Sequence, residues 1–310
     1  MTQLLSFPVP PDCDNQTVQT FLRRECGLSW RTVVRLKNVP MGISADGAHL
    51  RCIDRVKAGQ TVLCRLPEDA VRIEGADFPL DVVYEDDYLL IVNKPPYLAV
   101  HPSAGKPEPT LANIVVGYYQ RQGTPLAFRP EGRLDRNTSG LLLAAKNAHV
   151  AYALTHRVDK VYLAVALGRL TGSGVIDQPI RVKEGCTVTR EVVNSRDIAS
   201  EEAGGGGKPS VTRWEALGGN DTATLLRVVI ETGRTHQIRA HMAWLGHPLA
   251  GDTMYGGEDN NPVGTTALIG RHALHCAEMR FLHPITGESM NLNCAPPEDF
   301  SALARKIIDN

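Results

Sequence analysis

The stretch Gly132-Arg133-Leu134-Asp135-Arg136-Asn137-Thr138-Ser139-Gly140-Leu141-Leu142-Leu143-Ala144-Ala145-Lys146 decides how this chain is read. Its second half, Leu141 to Ala145, is an apolar run of strand length and predicts a buried strand. Its first half is a polar turn holding one carboxylate, Asp135, between two arginines. A carboxylate so placed is either a structural ion-pair partner or a nucleophile kept ionised by cationic neighbours. Two further segments are equally unusual. Lys160-Val161-Tyr162 puts a base and an aromatic on the same side of a predicted strand. Thr232-Gly233-Arg234-Thr235-His236-Gln237-Ile238-Arg239-Ala240-His241 packs two arginines and two histidines around a helix start, more polar chemistry than capping needs.

Around these segments the pattern is mixed. Leu111, Ile114, Val115 and Tyr118 repeat at helical spacing, so a helix capped by Thr110 is predicted over 110–121. A second helix is predicted over Thr235–Leu245, with Ile238, Met242 and Leu245 on one face and Gly246 at its end. Asp81–Tyr84, Leu89–Asn93, Lys160–Leu167 and Thr224–Ile230 read as strands. Strands and helices intermingle without regular alternation, which predicts an α+β fold with a mixed sheet. Residues 201–208, with Gly204 to Gly207 in a row, read as a flexible loop.

The first 75 residues read as a separate unit, leaving 76–310 as the larger domain. Val18, Phe21 and Leu22 share a helical face, followed by Arg23, Arg24 and the stop-like Gly27. Ser29 is suited to cap a second helix, with Trp30, Val33 and Val34 inward and Arg31, Arg35 and Lys37 outward. Short strands follow, the last over Thr61–Leu66, and Pro67-Glu68-Asp69 reads as a linker.

Composition narrows the class. Of 310 residues, 43% are apolar and 22% charged, the balance of a globular protein with a sizeable core, which excludes disorder over most of the chain. No run approaches the roughly 18 apolar residues of a membrane span, and the N-terminus lacks the basic and apolar regions of a secretory signal, so a cytoplasmic protein is expected. Seven scattered cysteines without C-x-x-C spacing argue against a disulfide framework or a four-cysteine zinc site. The formal net charge of −1 hides local asymmetry: residues 77–87 hold five acids and no base, and residues 121–169 hold eight bases against three acids. Such a basic stretch is either a solvated surface or a polyanion-binding face.

Several motifs fail on inspection. Gly204–Lys208 lacks the first glycine and the following Ser or Thr of a phosphate-binding loop. Asn137-Thr138-Ser139-Gly140 lacks the glycine two residues before the serine of a nucleophile elbow. His272 and His275 would point to opposite faces of a strand, and His236 and His241 are five apart on a helix, so no metal site is predicted.

Four ordered motifs together are similar to the RluA family of RNA pseudouridine synthases: G-R-L-D-R-N-T-S-G-L-L-L-A-A-K, K-V-Y-L-A-V-A-L-G, T-G-R-T-H-Q-I-R-A-H and L-H-C-A-E-M-R-F-L-H-P, across roughly residues 80–300. One departure is Gly132, where the family usually carries His before R-L-D; glycine there is typical of the sister RsuA family. The N-terminal unit resembles the alpha-L RNA-binding motif of ribosomal protein S four. The resemblance implies a largely antiparallel mixed sheet of the pseudouridine synthase type flanked by helices and loops. It implies isomerisation of uridine to pseudouridine in structured RNA without a cofactor, in a monomer. Large-subunit ribosomal RNA is the first expectation for the substrate and transfer RNA the second. In that reading Asp135 is the catalytic carboxylate, Arg239 pairs with it and keeps it ionised, and Tyr162 lies against the uracil and takes part in removing the C5 proton. Arg133 fills the gap left by the flipped base, and Lys160, Arg234 and His236 contact substrate. The basic stretch and Arg23, Arg24, Arg31, Arg35 and Lys37 hold phosphates.

Two other classes compete. A non-catalytic RNA-binding or ribosome-assembly factor on the same fold need not keep Asp135, Tyr162 and Arg239 together. A glycosidic-bond hydrolase needs two cooperating carboxylates, and no second acid is evident near these motifs.

Overall fold

A computed structural model describes residues 4–66, 71–102, 109–193, 207–256 and 269–309. The linker expected at 67–69 and residues 201–206 of the expected loop lie outside these.

The N-terminal region runs β1 (Leu4–Pro8), α1 (Val18–Thr20), a π-turn over Phe21–Glu25, α2 (Trp30–Lys37), β2 (Ile43–Ala45), β3 (Ala48–His49) and β4 (Thr61–Arg65). Its strands form one antiparallel sheet in the order β1-β4-β2-β3. Val18, Phe21 and Leu22 are buried as expected, in a core with Leu5, Val33, Leu36, Ile43 and Val62. Ser29 caps α2, accepting a hydrogen bond from the Thr32 amide. The inward face of α2 is a correction: Thr32, Val33 and Leu36 are buried, while Val34 is half-buried and Trp30 is 47% exposed. A cap at Ser29 makes Trp30 the first helical residue, where it overhangs the edge of the module and meets the guanidinium of Arg23 at 5.7 Å.

The remainder contains β5 (Val82–Glu85), β6 (Leu89–Lys94), α3 (Leu111–Arg121), β7 (Ser139–Ala145), α4 (Ala148–Leu154), β8 (Asp159–Leu167), β9 (Ser173–Asp177), β10 (Ile180–Val182), β11 (Arg190–Val192), β12 (Val211–Gly219), β13 (Ala223–Ile230), α5 (Gln237–Trp244), β14 (Leu274–Leu282), β15 (Ser289–Asn293) and α6 (Glu298–Ile308). A nine-stranded sheet runs β5-β6-β7-β14-β8-β13-β12-β9, with β15 also on β14, and β10 and β11 form a separate hairpin. The expected mixed, mainly antiparallel sheet is therefore present. The one parallel pairing among the described strands is β7 with β14, only two residue pairs long, His275 with Ser139 and Cys276 with Gly140. Gly140 permits it: a Cβ there would lie 2.2 Å from the Cys276 carbonyl oxygen.

The β7 run predicted to be buried is buried at every position, because β6 and β14 flank it and α3 and α4 lie against this part of the sheet. Thr110 caps α3 in a reciprocal box with Asn113. α5 starts at Gln237, two residues later than predicted, because His236 adopts a left-handed conformation (φ 58°). Phe300, Leu303 and Ile307 seat α6 in a core with Val165, Leu167 and Leu225.

Candidate active site

The site forms where the turn before β7 meets the start of α5. Asp135 lies in that turn, with its side chain 23% exposed. The Thr138 amide closes the turn by donating to the Asp135 carbonyl, 3.1 Å. Arg239, on the first turn of α5, donates from Nη1 to Asp135 Oδ2 at 3.2 Å. The predicted pair is thus present, but it is the weaker of the two pairs Arg239 makes. Nε and Nη2 engage both oxygens of Asp252 at 2.7 and 2.9 Å, and Asp252 is 2% exposed. The arginine is oriented by this forked pair, and its remaining nitrogen reaches Asp135. Tyr255 completes the support: its ring lies 5.0 Å from the Arg239 guanidinium, and its hydroxyl bonds to Nδ1 of His236 at 3.0 Å. Nε2 of His236 is 3.8 Å from Asp135 Oδ2. Burial lowers the His236 pKa, with Arg239 adding to the effect against the pull of Asp135.

Asp252 overturns the statement that no second acid is near. Fully buried and paired, it is a holder of Arg239 and lacks the exposure of a reacting group. Nothing in Leu249-Ala250-Gly251-Asp252-Thr253-Met254-Tyr255 has a periodicity or motif that marks it; a lone Asp after Gly reads as a turn.

The rest of the turn is pinned residue by residue. Lys94 is fully buried at the end of β6 and donates to the carbonyls of Pro95, Leu98 and Arg136. Burial, with Arg271 beside it, pushes its ammonium down to about 7, while Asp135 pulls the other way. Arg271, also buried, donates to the Asn137 carbonyl at 2.9 Å. His272 meets the Thr138 hydroxyl at 2.9 Å and His275 meets the Ser139 hydroxyl at 3.0 Å. The two histidines do not form opposite faces of one strand, since His272 precedes β14. Each instead fixes a neighbouring hydroxyl at the end of the Asp135 turn.

The other predicted residues divide. Arg133 is exposed and donates to Thr235 Oγ1 at 3.0 Å, bridging the Asp135 turn to the segment before α5. Tyr162 is 5% exposed with its hydroxyl bonded to Cys276, and burial holds that hydroxyl well above its ordinary range. Burial thus keeps the resting side chain a protonated phenol. Lys160 is held by Glu131, at 2.5 Å to the carboxylate and 2.9 Å to the carbonyl. Gly132 sits directly above it with φ +73°, and a Cβ there would lie 3.0 Å from Lys160 Nζ, so the departure from histidine accompanies a lysine in the neighbouring space. Arg234 bonds the Pro209 carbonyl at 3.2 Å and is not drawn into the Asp135 cluster.

Arg23, Arg24, Arg31, Arg35 and Lys37 are all exposed, and Arg23 and Arg24 line a groove of about 340 Å³ with Gln19 and Thr20. The basic excess over 121–169 is smaller in space than in sequence. Arg121 pairs with Asp77 at 2.7 Å and Lys146 with Glu85 at 2.8 Å, so the acidic run 77–87 neutralises part of it, and Arg169 pairs with Asp221.

A sequence profile described as RNA pseudouridylate synthase matches residues 88–244, which contain Asp135, Tyr162 and Arg239. The chain belongs to this family. It is an isomerase that converts uridine to pseudouridine in RNA, of the RluA type that its motifs suggested. Among its relatives, the Bacillus subtilis protein described as uncharacterized RNA pseudouridine synthase YjbO is 35% identical over 91% of this chain and 96% of its own length. The ribosomal large subunit pseudouridine synthase D of Escherichia coli K12 is 36% identical over 81% of this chain and 77% of its own length. The structure of human RNA pseudouridylate synthase domain containing 1 is similar with a TM-score of 0.54 and 27% identity, over 74% of this synthase and 89% of that chain. Asp252 and Arg271, on which the site depends, lie beyond the matched segment.

Proposed function

We propose that Asp135 is the catalytic carboxylate of the synthase and that its substrate uridine lies in a structured region of large-subunit ribosomal RNA. The N1–C1′ bond breaks, the uracil turns, and C5 bonds to C1′; the C5 proton is released and N1 regains one, so the reaction balances without a redox partner. The observation that carries this reading is the forked Asp252–Arg239 pair delivering its third nitrogen to Asp135. Both contacts on the carboxylate fall on Oδ2, and among the described residues no group bonds Oδ1, which is left for C1′. Tyr162 packs against the uracil as a neutral phenol, and Arg133 enters the space of the flipped base. The ribosomal assignment draws on the printed name of the Escherichia coli relative, and transfer RNA is the second candidate.

The proposed division is an alpha-L type RNA-binding module over 1–75 and a catalytic domain over 76–310. Each has its own buried cluster, which supports it. The protein is proposed to act as a monomer in the cytoplasm, in keeping with seven unpaired thiols. Among the described residues no helix is long and apolar enough to cross a membrane.

The test uses total RNA from cells lacking the gene, labelled with tritium at uridine C5. Wild-type protein is expected to release tritium and leave pseudouridine at a mapped ribosomal position with no free uracil. Asp135→Asn is expected to cut the rate by ~10³ or more while melting normally, as for a group acting directly on the reacting atom. Turnover by folded Asp135→Asn would remove Asp135 from its role, and release of uracil would favour a hydrolase.

A further inference from the structure

Arg271 is among the largest fully buried side chains in the molecule. It donates to the Asn137 carbonyl at 2.9 Å, and more distantly to those of His272 and Leu274, both at 3.4 Å. Its charge and orientation are fixed from outside the site. Nε and Nη2 grip the two oxygens of Asp299 at 2.7 and 2.9 Å, in the first turn of α6. Asn137 belongs to the turn closed by the Thr138 amide on the Asp135 carbonyl. The side-chain oxygen of Asn137 is buried without a hydrogen-bond partner among the described residues, so its carbonyl is the group through which the residue is held.

We propose that Asp299 is a positioning residue for Asp135, acting through Arg271 and the Asn137 carbonyl. This rests on Asp135 being the reacting carboxylate. A planar guanidinium held at two nitrogens has one direction left for the third, so the start of α6 sets the height of the catalytic turn. The helix is itself fixed by Phe300, Leu303 and Ile307, which makes it a rigid reference. The device repeats the one at Arg239: an acid distant in sequence grips an arginine in a fork, and the arginine's third nitrogen meets the turn.

The test compares single-turnover tritium release from C5-labelled RNA with RNA affinity, on full-length protein below its melting range. Asp299→Asn removes the charge of the fork with little change of shape. Its rate is expected to fall about 10-fold with Kd unchanged, less than the ~10²-fold that a displacement of about 1 Å costs. Arg271→Lys keeps the charge but cannot grip Asp299 and Asn137 together, and the same fall is expected. Glu298→Gln is the control: it loses a charge from the same helix turn, where Glu298 faces Arg305, and its rate should stay at the wild-type level. Wild-type rates in both Asp299→Asn and Arg271→Lys would overturn the proposal. So would an equal fall in Glu298→Gln, or a change confined to Kd. Asp135→Asn separates the two failures: wild-type turnover there would sink the reading of the site itself, whereas an inactive Asp135→Asn beside a fully active Asp299→Asn would sink only the positioning role.

Discussion

The Asp135 turn and the arginine surface of the N-terminal module use the same side chain in opposite ways. Around the turn, Arg239 and Arg271 are buried, and each is gripped by a carboxylate, Asp252 or Asp299. On the module, Arg23, Arg24 and Arg31 are exposed, with Arg23 resting on Trp30. A buried guanidinium must have its direction fixed, and a forked acid does so at the cost of desolvating both charges. A phosphate-gripping arginine needs only charge and reach, and tolerates motion. Chemistry and affinity should therefore separate cleanly when each region is damaged.

The largest separation is expected at Arg239. Arg239→Met removes the contact to Asp135 and also strands Asp252 in the interior. The expected loss of stability is about 3–5 kcal/mol, together with near-complete loss of activity. Urea unfolding and tritium release check both. If the double variant Arg239→Met with Asp252→Leu regains stability but stays inactive, the two functions of the arginine are resolved. A stable, active Arg239→Met would break the comparison.

Arg133 lies between the two modes, exposed yet fixed to Thr235. Arg133→Ala should slow a structured stem-loop about 10-fold more than a short unstructured RNA with the same uridine, where the unstacking cost of a few kcal/mol is already small. Equal losses on both RNAs would class it with the phosphate-gripping arginines.

On the module, replacing Arg23, Arg24 and Arg31 by Gln should leave the single-turnover rate at saturating RNA within about 2-fold, as for exposed groups remote from the site. The slope of log K against log salt should fall by about one per lost phosphate contact. An unchanged slope would mean that the module docks protein instead. A deletion variant for the same test should begin at residue 71, because the Glu74 carbonyl and the Ala76 amide are bonded to Asn113 on α3.

The smallest effect is expected at His272. Burial pushes it from 6.5 down to about 2, so the unfolded chain binds a proton that the folded chain refuses. Its contribution to stability is full above 6.5 and is lost progressively as pH falls toward 2. His272→Gln, which has no proton to take up, should lose less stability than wild type between pH 7 and pH 5 in urea titrations. An identical loss would assign the acid sensitivity to the other buried histidines.

The strands, the caps at Ser29 and Thr110, and the pairing of Asp135 with Arg239 were legible because each is marked locally, by an apolar run, a capping hydroxyl or a motif. Asp252, Lys94 and Asp299 were not. Asp252 and Asp299 grip arginines 13 and 28 residues away and Lys94 reaches the Arg136 carbonyl 42 residues on, and one acid or one lysine in an ordinary turn, strand end or helix start has no local signature. The charge of 121–169 is smaller in space than in sequence for the same reason: the neutralising acids Asp77 and Glu85 come from a different segment. Trp30 misled because apolarity alone assigned it inward, whereas the cap at Ser29 fixes which residues of α2 face the core.

The short parallel seam between β7 and β14 also has a consequence for biosynthesis. Ser139 and His275 are 136 residues apart, and Arg271 and Asp299 come later than nearly all of the sheet. A chain emerging from the ribosome presents Asp135 long before Arg271 and Asp299. Asp135, Tyr162 and even Arg239 are all translated before Asp252, Arg271 and Asp299. Because long-range contacts are the slow ones to form, the full set of contacts on the turn is complete only once α6 has been made.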